Sequence, residues 1–199
     1  LGIRDMTGAV LPDGESGGIW VSGGNVSPPE PDMIVDGWMP TGDQGRMTPR
    51  GLAITGRISD MIIRSGHNID PAMIEAAAIS TGQVTDAAAI GQPDAYAGEV
   101  PVIFLVRSSA SKQDAAAVAE QIIGSIPDRA AHPRSIFWRE SLPVTAVGKI
   151  DRKQLRAEVI EHLVRDEARR QLGPIDFDLT VTNPQALRPI IAITWKADK

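Results

Sequence analysis

Three polar side chains in this sequence are of types suited to handling anions and hydroxyl groups. They are the ammonium of Lys149 after Gly148, the carboxylate of Asp43 in Thr41-Gly42-Asp43, and the guanidinium of Arg57 after Gly56. An ionised carboxylate is acceptor-only with several lone pairs, a guanidinium is a fixed fork of donors, and an ammonium is a mobile point charge. Taken singly, each has a plainer reading: a turn-forming aspartate, a surface cation, a flexible lysine ahead of a helix. A fourth candidate fails on its context. Gly14-Glu15-Ser16-Gly17-Gly18 has the spacing of a hydrolase nucleophile elbow, which requires a strand before the serine and a helix after it. Ser16 instead precedes the strand-like Ile19-Trp20-Val21, with no His/Asp partner evident, so a Gly-rich turn between strands is expected. Asn25-Val26-Ser27 has the form of a glycosylation acceptor but carries little weight without a secretion signal.

Composition removes several classes of function. The chain has 199 residues and no cysteine, so it has neither a disulfide framework nor thiolate metal ligands. Its three histidines, His67, His132 and His162, are scattered, and no metal site is predicted. A formal net charge of −5 argues against a general nucleic-acid footprint, which needs a dominant basic surface. No apolar run is long enough to span a bilayer, and Leu1 to Asp5 lack a signal-peptide pattern, so a cytoplasmic protein is expected. The chain starts at Leu1, almost directly on a strand-like segment, which suggests a piece of something longer.

The elements that must position these groups can be read coarsely. From Gly8 to about Arg57, Gly and Pro punctuate short apolar runs such as Gly18 to Ser22 and Leu52 to Thr55, which predicts a small β-barrel or sandwich-like unit. Strands are then expected at Met61 to Ile63, Asp86 to Gly91, Val100 to Val106 and Ser135 to Trp138. Helices are expected at Pro71 to Ser80 and Asp114 to Ile123. Strands alternating with helices make this segment α+β or α/β. Leu155, Val159, Leu163, Ala168 and Leu172 recur near helical spacing, predicting a long helix from Arg152 to Leu172 with one buried stripe. Its polar face, with Arg152, Lys153, Arg156, Arg165, Arg169 and Arg170 among Glu158, Glu161, Asp166 and Glu167, reads as solvated. Glu161 with Arg165 and Asp166 with Arg170 have ion-pair spacing. Phe177 to Val181 and Ile190 to Trp195, around Asn183-Pro184-Gln185, predict a terminal hairpin.

Four ordered segments carry a family resemblance. Gly37-Trp38 and Thr41-Gly42-Asp43 are followed by Gly56-Arg57 and Asp60 ahead of an apolar strand. Ser65-Gly66-His67-Asn68-Ile69-Asp70-Pro71 leads to Glu75, and Leu142-Pro143-Val144-Thr145-Ala146-Val147-Gly148-Lys149 comes last. Over about residues 8–156 the chain resembles the adenylate-forming family of acyl-CoA and aryl-CoA ligases, luciferases and peptide-synthetase adenylation domains. The resemblance implies an α+β fold. Residues 1–58 would be the β-rich end of a large AMP-binding amino-terminal domain, 59–150 the mobile α+β carboxy-terminal domain, and 151–199 a helix and hairpin extension.

The resemblance also implies roles. Asp43, in the motif begun by Thr41, would accept hydrogen bonds from the ribose hydroxyls of ATP. Arg57 would approach ribose and nucleotide, and Ile54 would line the nucleotide pocket. Lys149 would be catalytic: as a carboxylate attacks the α-phosphate, its ammonium offsets charge building between two repelling anions. Gly66, flanked by Ser65 and His67, would belong to a loop lining the path of the CoA thiol, where a side chain would obstruct. Glu75 would orient that loop rather than react.

Ser59 stands where the family's hinge is commonly Asp or Lys, and serine can absorb large torsion changes. The phosphate-binding loop, the acyl pocket and the glutamate that helps hold Mg²⁺ have no counterpart in this sequence. The expected partners are therefore a small carboxylic acid, ATP and CoA, together with the amino-terminal portion of the same enzyme. Nucleic acid and membrane are not expected partners. An adenylation domain loading a carrier protein, and a non-catalytic binding or regulatory remnant, are the alternatives.

Overall fold

The computed structural model describes residues 1–5, 7–27, 33–174, 176–184 and 189–195, with the side chain of Trp195 left out. Gln185, expected in the terminal turn, lies outside them. The chain forms two compact units, Leu1–Met61 and Ile62–Lys199. Among the described residues, no helix is long and apolar enough to cross a membrane.

In the first unit, β1 (Gly2–Arg4), β2 (Gly17–Val21), β3 (Met39–Thr48) and β4 (Gly51–Arg57) pair in chain order as one antiparallel sheet. This corrects the barrel or sandwich expectation. Ile3 opposite Ile19 supplies a buried apolar pair, but Thr41 to Arg46 is polar and glycine-rich, with no apolar inner face to close around. Arg4 lies over the rings of Trp38 and Trp20, 4.4 and 5.9 Å from their centroids. Ser16 sits in the turn before β2, with no helix after it.

The second unit is built on a mixed sheet of order β6-β5-β8-β7, with β9 parallel to β8. Its strands are β5 (Ile62–Arg64), β6 (His67–Ile69), β7 (Val84–Asp94), β8 (Gly98–Arg107) and β9 (Ser135–Arg139). The helices are α1 (Pro71–Ser80), α2 (Ala115–Ser125) and α3 (Arg152–Leu172). Each helix starts on an aspartate cap: Asp70 accepts from Ala72 N, Asp114 from Ala117 N, and Asp151 from Gln154 N. Pro71 fills the first turn of α1, where its missing N–H costs nothing.

Strand alternation in β8 divides the core in two. Ile103 and Leu105 join Ile74 and Ala78 of α1 and Val118 and Ile122 of α2. Val102 and Phe104 join Ala88 and Ile90 of β7 and Leu155 and Val159 of α3. Each of those two α3 side chains contributes about 1.5–3 kcal/mol by burial. Helix α3, expected as an extension, is thus the layer that covers one face of this sheet, and the unit has helices on both faces. The α+β class stands.

The α3 stripe is buried only over its first half. Leu155 and Val159 are core, Leu163 is partly buried, and Leu172 is 59% exposed because the apolar cluster beneath ends at Leu163. On the polar face, Glu161 pairs with Arg165. Arg170 pairs with Glu167 rather than Asp166, which instead faces Arg169 at 3.8 Å and His162 at 3.6 Å. Neighbouring carboxylates three and four residues away compete for one guanidinium, and spacing alone does not choose.

A larger correction concerns Arg156, which is buried rather than solvated. Its Nε donates to Pro184 O (2.6 Å), Nη1 to Gly91 O (2.7 Å) and Nη2 to the Glu99 carboxylate, whose other oxygen accepts from Ile63 N. Gly91 leaves room for that carboxylate, since a Cβ there would collide with it. Strands β10 (Phe177–Thr182) and β11 (Ile190–Trp195) form the terminal antiparallel hairpin. It is moored by buried Phe177, under the Arg165 guanidinium, and by the Arg165 hydrogen bond to Phe177 O (3.1 Å).

The β7–β8 turn carries a pH-sensitive contact. Asp94 accepts from Ala97 N and Tyr96 N, both at 2.9 Å, and from Arg134. The Ala97 bond first, then the Tyr96 bond and Arg134, hold its carboxyl below the ordinary value. A depressed folded-state pKa contributes stability that is present above the unfolded value, about 3.9, and is lost as pH falls through the folded one. Asp94→Asn should therefore flatten the loss of stability below about pH 4, read as urea midpoints against pH.

Candidate functional site

In the first unit, the register of β3 and β4 assembles one patch. Asp43 is the cross-strand partner of Arg57, and Arg57 Nε donates to Asp43 Oδ1 at 3.0 Å. With Arg57 64% exposed, this pair is worth at most about 1 kcal/mol to folding, so it is better suited to orienting the carboxylate than to stabilising the sheet. Thr41 Oγ1 donates to Ile19 O (2.9 Å) and accepts from Asp43 N (3.1 Å), fixing the strand entry to Asp43 around Gly42 at φ +80°.

Ile54 lies at an irregularity of the same strand pair. Gln44 faces Gly56 and Gly45 faces Ile54, so Thr55 is an extra residue in β4. The irregularity sets Ile54 opposite Gly45, two residues along β3 from Asp43. Ile54 is 66% exposed, an isoleucine presented to solvent. Ser59 lies in the 3-10 turn Ile58–Asp60, just before the boundary between units, and its hydroxyl donates to Asp60 Oδ1 at 3.2 Å.

In the second unit, Ser65 and Gly66 form the two-residue loop joining β5 to β6, with Arg64 paired to His67. Their φ angles of +50° and +84° are those of a type I′ turn, which needs both central residues in the left-handed region. Ser65 N donates to Ala97 O at 2.7 Å, tying the tip to the β7–β8 turn. Around Gly66 there is open space, so conformation is what demands glycine in this structure. Gly66→Ala should cost about 1–2 kcal/mol of stability, measured by chemical denaturation. His67 is exposed. The other two histidines have structural partners: His132 Nε2 is 2.9 Å from Ile126 O, and His162 lies edge-on to Phe137.

Lys149 sits on a second tight loop. Val144 bridges Ile150, Thr145 N donates to Lys149 O (2.7 Å), Gly148 N donates to Thr145 O (2.9 Å), and Lys149 N approaches Thr145 Oγ1 at 3.3 Å. Gly148 takes φ +77°, and Asp151 N donates to Pro143 O (2.8 Å), closing the loop base at the α3 cap. Lys149 itself is exposed, between exposed Val147 and the start of α3. The structure therefore pairs Asp43 with Arg57, ties Thr41 to the Asp43 backbone, and leaves Ile54 exposed on the neighbouring strand. It sets Ser65 to His67 and Lys149 on separate loops of the other unit. Among the described residues, no cluster of three or more His, Asp or Glu side chains that could hold a metal ion is present.

Sequence reasoning passed over Arg152 as a solvated cation. Its Nη1 donates to Glu75 Oε1 (2.6 Å) and to Ala89 O (2.8 Å), and the same Glu75 oxygen accepts from Ala89 N (2.8 Å). The available signal was its place at the first turn of α3, three residues after Lys149.

The family model of the AMP-binding enzyme C-terminal domain matches residues 73–149. Marinolic acid–CoA ligase of Pseudoalteromonas sp. (strain SANK 73390) is 35% identical over 198 residues, covering 93% of this chain and 30% of that protein. Long-chain-fatty-acid–CoA ligase of Yersinia pestis is 33% identical, covering 83% and 31%. Among solved structures, ATP-bound MatB from Rhodopseudomonas palustris superposes with a TM-score of 0.70 at 29% identity, covering 87% of this chain and 34% of that one. The chain belongs to the adenylate-forming superfamily and carries the carboxy-terminal domain of its AMP-binding enzymes. It spans about a third of the length of these curated relatives, which are CoA ligases.

Proposed function

We propose that this chain is the carboxy-terminal part of an ATP-dependent acyl-CoA synthetase acting in the cytoplasm. The whole enzyme joins a carboxylate and ATP to give acyl-adenylate and pyrophosphate. It then passes the acyl group to the CoA thiol with release of AMP. Asp43 accepts from the ribose hydroxyls, Arg57 orients it and approaches the nucleotide, and Ile54 offers an apolar contact beside them. Lys149 offsets the charge gathering at the α-phosphate, and the Ser65-Gly66-His67 turn lines the thiol path in the second step. Ser59 is the joint at which the lobe rotates. Mg²⁺ accompanies ATP, with its protein ligand outside this chain.

The observation that carries this reading is the exposed Lys149, held on a hydrogen-bonded turn that closes the family's matched segment. Because catalysis needs groups supplied upstream, the chain alone should form neither product. Pyrophosphate release with a panel of carboxylic acids tests both parts: it should be absent with the chain and present with the full-length protein. Turnover by the chain alone would overturn the claim that it is incomplete.

A further inference from the structure

We propose that Arg152 is a positioning residue for Lys149, acting through a clamp with Glu75 and the Ala89 peptide. The proposal rests on the catalytic role assigned to Lys149. That lysine is exposed, and the hydrogen bonds of its turn lie within residues 143–151, so the placement of the turn's base sets the placement of its tip. The first turn of α3 holds that base. There Asp151 caps the helix and bonds back to Pro143, while Arg152 reaches across to a different helix and to the central sheet.

One guanidinium nitrogen contacts both Glu75 Oε1 and Ala89 O, and Glu75 Oε1 also takes Ala89 N. Glu75 thus bonds both the strand and the arginine that docks on it. Glu75 and Arg152 have side chains only 17% and 21% exposed, so water competes weakly for these bonds. The three members are far apart in sequence, and the clamp exists only when α1, β7 and α3 are assembled. It fixes where the residues three places ahead of Arg152 begin, and hence where the ammonium is delivered.

Small displacements of a catalytic group are costly: a misplacement of 1 Å can reduce rate by about 100-fold. In the full-length enzyme, Arg152→Ala should therefore lower the rate of adenylate formation by about that factor, with the ATP KM little changed. Thioester formation from supplied acyl-adenylate, which does not use Lys149, should be nearly preserved. Arg152→Lys, which keeps one donor for the same acceptors, should recover much of the loss, and it serves if the alanine variant fails to fold. Amide hydrogen exchange at Gly148 and Lys149 should quicken in Arg152→Ala.

Val159→Ala, which opens a cavity on the same helix away from the clamp, is the stability-matched comparison and should retain adenylation. Equal loss in both half-reactions, or loss of adenylation in Val159→Ala to the same degree, would make the clamp merely structural and overturn the proposal. Unchanged exchange at Gly148 and Lys149 in Arg152→Ala would overturn it as well. If Lys149→Ala itself adenylates normally, the functional reading fails instead, while the exchange measurement still reports on the clamp.

Discussion

Lys149→Ala in the full-length enzyme is expected to lower adenylate formation by about 10²–10³-fold, the usual cost of removing one preorganised charge-stabilising donor. Thioester formation from supplied acyl-adenylate should be largely intact, because in the proposed role the charge that Lys149 would offset is gone once pyrophosphate has left. The side chain is exposed, and the bonds of its turn are made by its backbone, so the melting temperature should hold. Single-turnover measurements of the two steps, made separately, check this. Equal losses in both would remove the lysine from its assigned role.

Arg156→Ala should destabilise the second unit by about 3–5 kcal/mol, the cost of stranding one member of a buried ion pair. The substitution would orphan the Glu99 carboxylate and two carbonyl oxygens, those of Gly91 and Pro184, in one stroke. Pairing Arg156→Met with Glu99→Gln should recover part of the loss. Glutamine keeps an acceptor for Ile63 N, the methionine chain fills volume, and no lone charge remains. Urea unfolding of both variants measures it. A double variant as unstable as the single one would show that the carbonyl contacts, rather than the stranded charge, dominate.

The bounds of two helices were legible because their determinants are local: Pro71 marks the first turn of α1, and the apolar period from Leu155 sets α3 from Arg152 to Leu172, as observed, whereas α2, expected at Asp114 to Ile123, runs Ala115–Ser125. The turn at Ser65-Gly66 was visible only as a glycine motif; its type I′ geometry comes from the two-residue gap between strands that pair. Arg156 was misread because periodicity identifies a helix and its apolar stripe but not the surroundings of the stripe's edge. Two arginines of the same polar face, Arg156 and Arg170, end in opposite environments.

The sequence by itself determined the family and most element positions, since motif order and periodicity are written in neighbouring residues. Only the tertiary structure decided that Thr55 is an extra residue in β4, so that Ile54 pairs with Gly45. It also decided that α3 is a core layer, and that Glu75 meets Arg152 across 77 residues of chain. These are long-range pairings. Their partners are chosen by which surfaces the sheet leaves open and which buried polar atoms still need a bond, and no local pattern encodes either.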